Sequence, residues 1–554
     1  MNDELIINVV GHGKEIVKKN SSILDLVKRL GFEDVMAAKI DDEVLNLNMG
    51  FSKDCDLKLV RVSDKAGHRM YVAGLKFMFI VAVQEIFGRD SVVHVEHSID
   101  KGTYCRLEIK KKLTDADIDK IKTRMYEYVN RDLPFQKVNA DKITAVKYLM
   151  REHEYEKAEN VNKTVYETLT IYKLFDYYNY FYVDLPVSTG SIKRFDLLRL
   201  DDKSLVLEYP EREKPTVIPE YQHYDTIVRS FDMYDKWLEL IDVKYLPKLN
   251  DYIANGKAST LVKMAEIMYD NQVSRIVENI FINKKEVKML LLGGPSSSGK
   301  TTSSKKFELF LKAAGYEPLV ISVDDYFKER VDCPKDESGN YDFETIESLD
   351  LKLFNKNLKA LIAGEEIKNP RFNFITGKKE FNDKDTSKLG KKGIIVIEGL
   401  HCINEKLTSE IPKEQKYKVY VSPFMAMTID RHNHISTIDM RLLRRMVRDN
   451  LYRGYSPEHT LKNWPTVRNG EKKYLFPFIK EADIVLNTAL IYEISVLKVY
   501  AEPLLYSIKP NSPYYDESRR ILNFLNCFFP IPSECVPDDS ILREFIGGSY
   551  FNQN

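Results

Sequence analysis

The residues Gly294-Pro295-Ser296-Ser297-Ser298-Gly299-Lys300-Thr301 satisfy the pattern G-x-x-x-x-G-K-[ST]. An apolar run, residues 287–292, precedes them, and a segment with helical spacing follows. In that context the pattern is a phosphate-binding loop. Its glycines let backbone N–H groups wrap a nucleotide's phosphates, and the N-terminus of the following helix adds its positive dipole end. Lys300 is expected to hold the β- and γ-phosphates, and the Thr301 hydroxyl to ligate Mg²⁺, with Thr302 completing the nucleotide contacts. The loop alone specifies ATP or GTP binding, not a reaction.

Three further groups bear on the reaction. Asp324 and Asp325 follow the next strand-like run directly, at the carboxyl edge where such sheets bind ligands. A carboxylate there can take a proton from an attacking hydroxyl or hold a metal, and either position also suits a solvated loop acid or helix cap. Glu398 closes the run Ile394-Ile395-Val396-Ile397 and suits a carboxylate acting on Mg²⁺, directly or through water. Arg441, Arg444 or Arg445, and Arg448 recur at helical offsets along one face, with Arg453 beyond. Such a row suits a mobile lid closing over triphosphate charge, or else a helix solubilised by arginines that pair with Asp439 and Asp449.

The elements that must position these groups read as α/β. Residues 284–510 alternate apolar runs (287–292, 318–323, 393–397, 416–421, 482–487) with helix-length segments, the pattern of a doubly wound parallel sheet covered on both faces. Ahead of it, residues 1–62 read as a small β-grasp unit, residues 63–230 as an α+β domain, and residues 231–283 as a helical connector. Residues 511–554 form a turn-rich C-terminal extension. Within the α+β stretch, His94 and His97 are spaced i, i+3 in a strand-like run, which places them on opposite faces.

Bulk properties exclude several classes. With 83 basic and 83 acidic residues the formal charge is zero, and mean hydropathy is −0.35. This argues against a dedicated nucleic-acid or anionic-membrane binder. The longest unbroken apolar run, residues 77–83, is far short of the roughly 20 residues that span a bilayer. The start, Met-Asn-Asp-Glu, has no basic region leading into an apolar stretch, so no secretory leader is expected. Six scattered cysteines form no CxxC pair and read as reduced thiols. A cytoplasmic, soluble protein is expected, with self-association left open.

Residues 285 to about 505 resemble the uridine kinase and phosphoribulokinase family of P-loop kinases. The matching stretches are residues 293–302, Ser322-Val-Asp-Asp-Tyr-Phe327, Tyr341-Asp342-Phe343, Pro370-Arg-Phe-Asn-Phe374, Ile397-Glu-Gly-Leu400 and the arginine segment. The resemblance implies ATP-dependent phosphoryl transfer to a hydroxyl of a nucleoside or related sugar-bearing small molecule. It places Asp324 as base, Glu398 near Mg²⁺, Asp342 on acceptor hydroxyls and Arg441, Arg444 and Arg448 in the lid, with Phe372, Asn373 and Arg453 on the substrate side. Uridine kinases follow an aromatic Tyr-Asp-Phe segment with a histidine that helps read the base. Residues 372–377, Phe-Asn-Phe-Ile-Thr-Gly, have neither the tyrosine nor the histidine, so a pocket stricter for sugar than for base is expected.

Residues 1–62 resemble a TGS domain, and residues 63–230 the second N-terminal domain of threonyl-tRNA synthetase. That domain's editing site uses HxxxH, whereas this chain keeps His68 and has Val72 at the second position. Loss of editing is the expectation. Nine Lys/Arg against eleven Asp/Glu in residues 1–62 show no basic tRNA footprint. Two other functions are weighed: a nucleotide-dependent switch whose TGS-like module contacts RNA or protein, which intact Asp324 and Glu398 disfavour, and editing of mischarged tRNA, which Val72 opposes.

Overall fold

The computed structural model describes residues 4–552 apart from 42, 100, 284–285, 336–338, 340 and 374. Phe374 of the aromatic segment and the start of the C-terminal stretch at 284 therefore lie outside the described residues. The chain forms two compact units. The first comprises residues 1–223, 245–247 and 428–435; the second comprises 224–244, 248–427 and 436–554.

In the first unit, a mixed five-stranded sheet has the order Gly13–Lys18, Glu4–Val9, Cys55–Arg61, Val35–Ile40, Glu43–Leu45. Its helix, Ile23–Arg29, starts at Ser22, whose hydroxyl accepts from the Asp25 N–H while the Asp25 carboxylate returns a bond to the Ser22 N–H. This reciprocal cap satisfies two helix-end donors. Helix Lys65–Phe87 then contributes to a core cluster of this unit, burying Leu75, Phe77, Phe79 and Val81. By length and composition this helix is apolar enough to cross a membrane, which a count of unbroken apolar residues overlooks. Its burial gives the physical reason: it is apolar nearly all round because protein surrounds it.

The strand holding His94 and His97, Val92–Ile99, corrects the expectation from spacing. His94 pairs with Arg106 and His97 with Tyr104, the register slipping by one residue at Glu96. Arg106 and Tyr104 are two residues apart and share a face, so this bulge brings both histidines to the same face. Both are buried; His97 stacks on Tyr104, and His94 lies 2.8 Å from Glu108. The short hairpin of residues 428–435 is built into the same unit. Its His432 and Asp430 are buried beside Lys157, Asn179 and Glu154.

The second unit carries a five-stranded parallel sheet in the order Glu317–Ser322, Gly393–Gly399, Met289–Gly293, Lys416–Ser422, Ile484–Asn487. Every residue of the central strand, Met289–Gly293, is buried, as a strand covered on both faces must be. The chain leaves that strand into the phosphate loop and enters helix Lys300–Ala313. The extension beyond residue 510 is more ordered than its turn-rich sequence suggests. It forms helix Tyr515–Leu525 and buries Phe528, Ile531, Ile541, Leu542 and Phe545.

Gly67 approaches the backbone so closely that a Cβ there would lie 2.1 Å from the Arg61 carbonyl oxygen. Gly67→Ala is therefore expected to destabilise the first unit by about 1–3 kcal/mol, the usual cost of overpacking. Urea titration followed by near-ultraviolet circular dichroism reads this out; an unchanged midpoint contradicts it.

Candidate active site

Parallel pairing sets the site. Glu398 lies in register with Ser322 on one side and Leu292 on the other, so the ends of three neighbouring strands meet where the phosphate loop begins. Asp324 follows Ser322 by two residues, in the short helical turn Val323–Tyr326. The sheet thus gathers Lys300, Asp324 and Glu398 into one cleft. Ser322 donates to Glu398 at 3.1 Å. The Thr301 side chain is exposed, while the Ser297 and Ser298 hydroxyls are buried without a partner. Lys300 donates to the Pro295 carbonyl at 3.0 Å.

The loop is shaped by close approach and unusual backbone. Ser297 and Gly299 have φ of 58° and 87°, and a Cβ on Gly294 would fall 2.1 Å from the Val421 oxygen. Its carbonyls are engaged by residues behind it. Arg441 Nε donates to Ser296 O at 2.9 Å, Arg444 Nη1 reaches Ser297 O at 3.5 Å, and Thr488 Oγ1 donates to Ser298 O at 2.6 Å.

The arginine helix, Thr437–Arg453, departs from the expected row of lid cations. Arg441 is buried in an ion pair with Glu471, and Arg444 in one with Glu493 at 2.6 Å. Both are fully enclosed, so they brace the loop rather than form a free face. Arg448 pairs with Asp449 at 3.0 Å, and Arg453, at the helix end, with the same carboxylate at 3.2 Å. Arg445 is the helix residue whose guanidinium reaches the loop's outer side chain, donating to Ser296 Oγ at 2.9 Å.

Asp342 accepts from the Tyr474 hydroxyl at 2.7 Å and from the Glu344 N–H at 3.0 Å. His401 Nε2 lies 2.9 Å from the Glu344 carbonyl oxygen, and the His401 and Tyr474 rings are 6.4 Å apart. Phe372 and Asn373 serve the fold. Strand alternation turns Phe372 inward, where it packs on Phe327, with ring centroids 5.4 Å apart. Asn373 accepts from the Ile375 and Thr376 N–H groups and closes the hairpin turn. Asp325 pairs with Arg371 at 3.1 Å. Sequence reasoning missed Glu344, Tyr474, His401 and Glu471, which no motif marks.

The cleft is crowded with carboxyls. Asp324 stays open to solvent but is flanked by protein on its other sides; this crowding raises its pKa, with Lys300 opposing. Burial pushes Glu398 up to about 7, against the pull of Lys300 and with a further push from Asp324. Burial also pushes Glu344 up to about 7, helped by Glu471 and Asp324 and opposed by Arg445 and Lys300. Hard oxygen donors on Thr301, Asp324 and Glu398 fit Mg²⁺. Among the described residues no cluster of three His, Cys, Asp or Glu side chains forms a complete metal site.

In the first unit, His68 Nε2 lies 2.9 Å from the Pro210 carbonyl oxygen, and burial lowers its pKa. Val72, partly buried, packs against the core where the second histidine of HxxxH would stand.

The second unit is thus a parallel α/β nucleotide-binding fold with a phosphate loop and carboxylates at one sheet edge. Residues 289–495 match the Phosphoribulokinase / Uridine kinase family. The chain is 28% identical over 208 residues to a uridine kinase of Borrelia duttonii, covering 36% of this chain and 86% of that one. The N-terminal region matches threonine–tRNA ligases, among them that of Thermotoga neapolitana, 25% identical over 183 residues. That match covers 33% of this chain and only 28% of the ligase. A solved structure of a possible uridine kinase from Bacillus stearothermophilus aligns over 39% of this chain and 98% of its own, with 20% identity and a TM-score of 0.26.

Two predictions follow from the geometry. A carboxyl whose folded pKa exceeds its unfolded value stabilises the fold fully below the unfolded pKa and loses that contribution as pH rises through the folded one. For Glu398 that window runs from 4.5 to about 7. Glu398→Gln should therefore stabilise the ligand-free chain at pH 8 by roughly 1–3 kcal/mol and have little effect at pH 4. A pH-independent difference contradicts this. Arg444→Ala should cost about 3–5 kcal/mol by stranding Glu493 in the interior. Arg445→Ala should cost less, because Asp449, its ion-pair partner, keeps Arg448 and Arg453. Equal losses in thermal unfolding would remove the distinction between brace and contact.

Proposed function

We propose that the second unit transfers the γ-phosphoryl group of ATP to a hydroxyl of a nucleoside or related sugar-bearing small molecule. The observation that carries this reading is the meeting of Lys300, Asp324 and Glu398 at the ends of three adjacent strands beside the loop. In this reading the amides of residues 296–302 and Lys300 hold the phosphates, and Thr301 and Glu398 hold Mg²⁺. The cation would neutralise charge on the β- and γ-phosphoryl oxygens. Asp324 orients the acceptor hydroxyl and takes its proton, while Lys300 and Arg445 face the charge that spreads during transfer.

Asp342 and Tyr474 supply the hydrogen-bonding groups for acceptor hydroxyls, with Glu344 and His401 beside them. Phe372 sits in the core and Asn373 in a turn, so neither reads the base. The acceptor is therefore selected by its sugar more strictly than by its base, with uridine one of several acceptors. For the first unit we propose a retained fold without editing, because Val72 removes one histidine and His68 is turned to a backbone carbonyl.

The test is a screen of uridine, cytidine, a purine nucleoside and a phosphopentose for acceptor-dependent ADP release. Lys300→Ala should abolish release, and Asp324→Asn should lower turnover by about 10²–10⁴ with ATP affinity nearly kept. Wild-type turnover in the Asn variant would remove Asp324 from the mechanism. A preference for uridine above about 10⁴-fold would show a polar base-reading site and overturn the sugar-first reading. The full chain should not deacylate mischarged threonine tRNA; hydrolysis dependent on His68 would contradict that.

A further inference from the structure

The phosphate loop already has an anion at its helix end. Glu544, in the short helix Arg543–Ile546 of the C-terminal extension, accepts from the Thr302 N–H at 3.3 Å and from its hydroxyl at 2.8 Å. Backbone N–H groups at this end of a phosphate loop are the donors that cradle a nucleotide's phosphates. The same segment closes on the loop at two other points. Ile541 Cγ2 lies 2.8 Å from where a Cβ on Gly299 would stand, and the Phe545 ring lies 5.1 Å from the Arg444 guanidinium.

The segment is held from both sides. Before it, Asp539 pairs with Lys306 of the loop helix at 2.6 Å, and Ser540 donates to Glu266 at 2.6 Å. Within it, Arg543 Nη2 donates back to the Val536 and Ser533 carbonyls, and after it two glycines with φ of 90° and 70°, Gly547 and Gly548, turn the chain. Glu544 is the contact that a phosphate opposes, because a carboxylate and a phosphate cannot share one N–H and repel each other at that distance. Glu544 also adds to the negative field that raises Glu398.

We propose that Glu544 is an internal competitor for the nucleotide, so that docking of residues 538–546 on the loop and binding of ATP phosphate oppose each other. The tail then sets the nucleotide concentration at which the site fills. By linkage, whatever factor the docked tail takes from ATP affinity, bound ATP takes from tail docking. This inference rests on the nucleotide reading of residues 294–302 given above.

The test uses the full chain and MgATP, in two measurements. Calorimetric titration should give Glu544→Gln about tenfold tighter ATP binding than the wild type, since a neutral amide is a weaker acceptor for Thr302 and does not repel phosphate. Glu544→Asp, one methylene shorter, should fall between them and serves if the Gln variant folds poorly. Hydrogen exchange across residues 538–552 of the wild type should quicken on saturation with MgATP. Equal or weaker ATP binding by both variants, or slower exchange of the tail with ATP, overturns the competition while leaving the nucleotide site standing. If the wild type and both variants all fail to bind MgATP, the nucleotide reading falls, and the competition with it.

Discussion

A peptide unit points its N–H and its C=O in opposite directions, so a loop that turns several N–H groups toward one anion must turn its carbonyls away from it. Those carbonyls need donors of their own, because a buried carbonyl without one costs about as much as a lost hydrogen bond. Here Arg441, Arg444 and Thr488 supply them to Ser296, Ser297 and Ser298. The arginines are in turn fixed by Glu471 and Glu493, both buried. Removing one member of such a pair leaves a charge in the interior, so the loop's shape is tied to the packing of the unit around it. The left-handed backbone at Ser297 and Gly299 and the bare Cα of Gly294 then let the chain pass between the central strand and Val421.

The carboxyl cluster lies at the front of the same loop. Burial pushes Glu398 and Glu344 up to about 7, and the nearby Asp324 carboxylate adds to both shifts. The carboxylates of Glu471 and Glu544 accept from the Ser296 and Thr302 N–H groups.

What the sequence made legible was what depends on near neighbours. The loop, Asp324 and Glu398 each sit at a strand end, and continuous apolar runs mark those ends without any distant partner. The arginines were legible as a helix face and not as braces, because Glu471 and Glu493 lie 30 and 49 residues from Arg441 and Arg444. The resemblance puts Phe372 on the substrate side, and nothing local to the segment shows that the fold buries its ring against Phe327. His94 and His97 were assigned to opposite faces because a bulge leaves no mark on spacing. The extension was read as turns because its prolines are visible and its long-range burial is not. Tyr474 and His401 stand near Asp342 only after the fold is complete, so no local pattern could have named them.

If the amides of this loop converge on a nucleotide's phosphates, a crystal structure of the full chain with Mg²⁺ and a non-hydrolysable ATP analogue will show it. Phosphate oxygens should lie within hydrogen-bond distance of the Ser298, Gly299, Lys300 and Thr301 N–H groups, with Lys300 Nζ moved from the Pro295 carbonyl onto phosphate. An analogue bound elsewhere, with Lys300 still on Pro295, would contradict it.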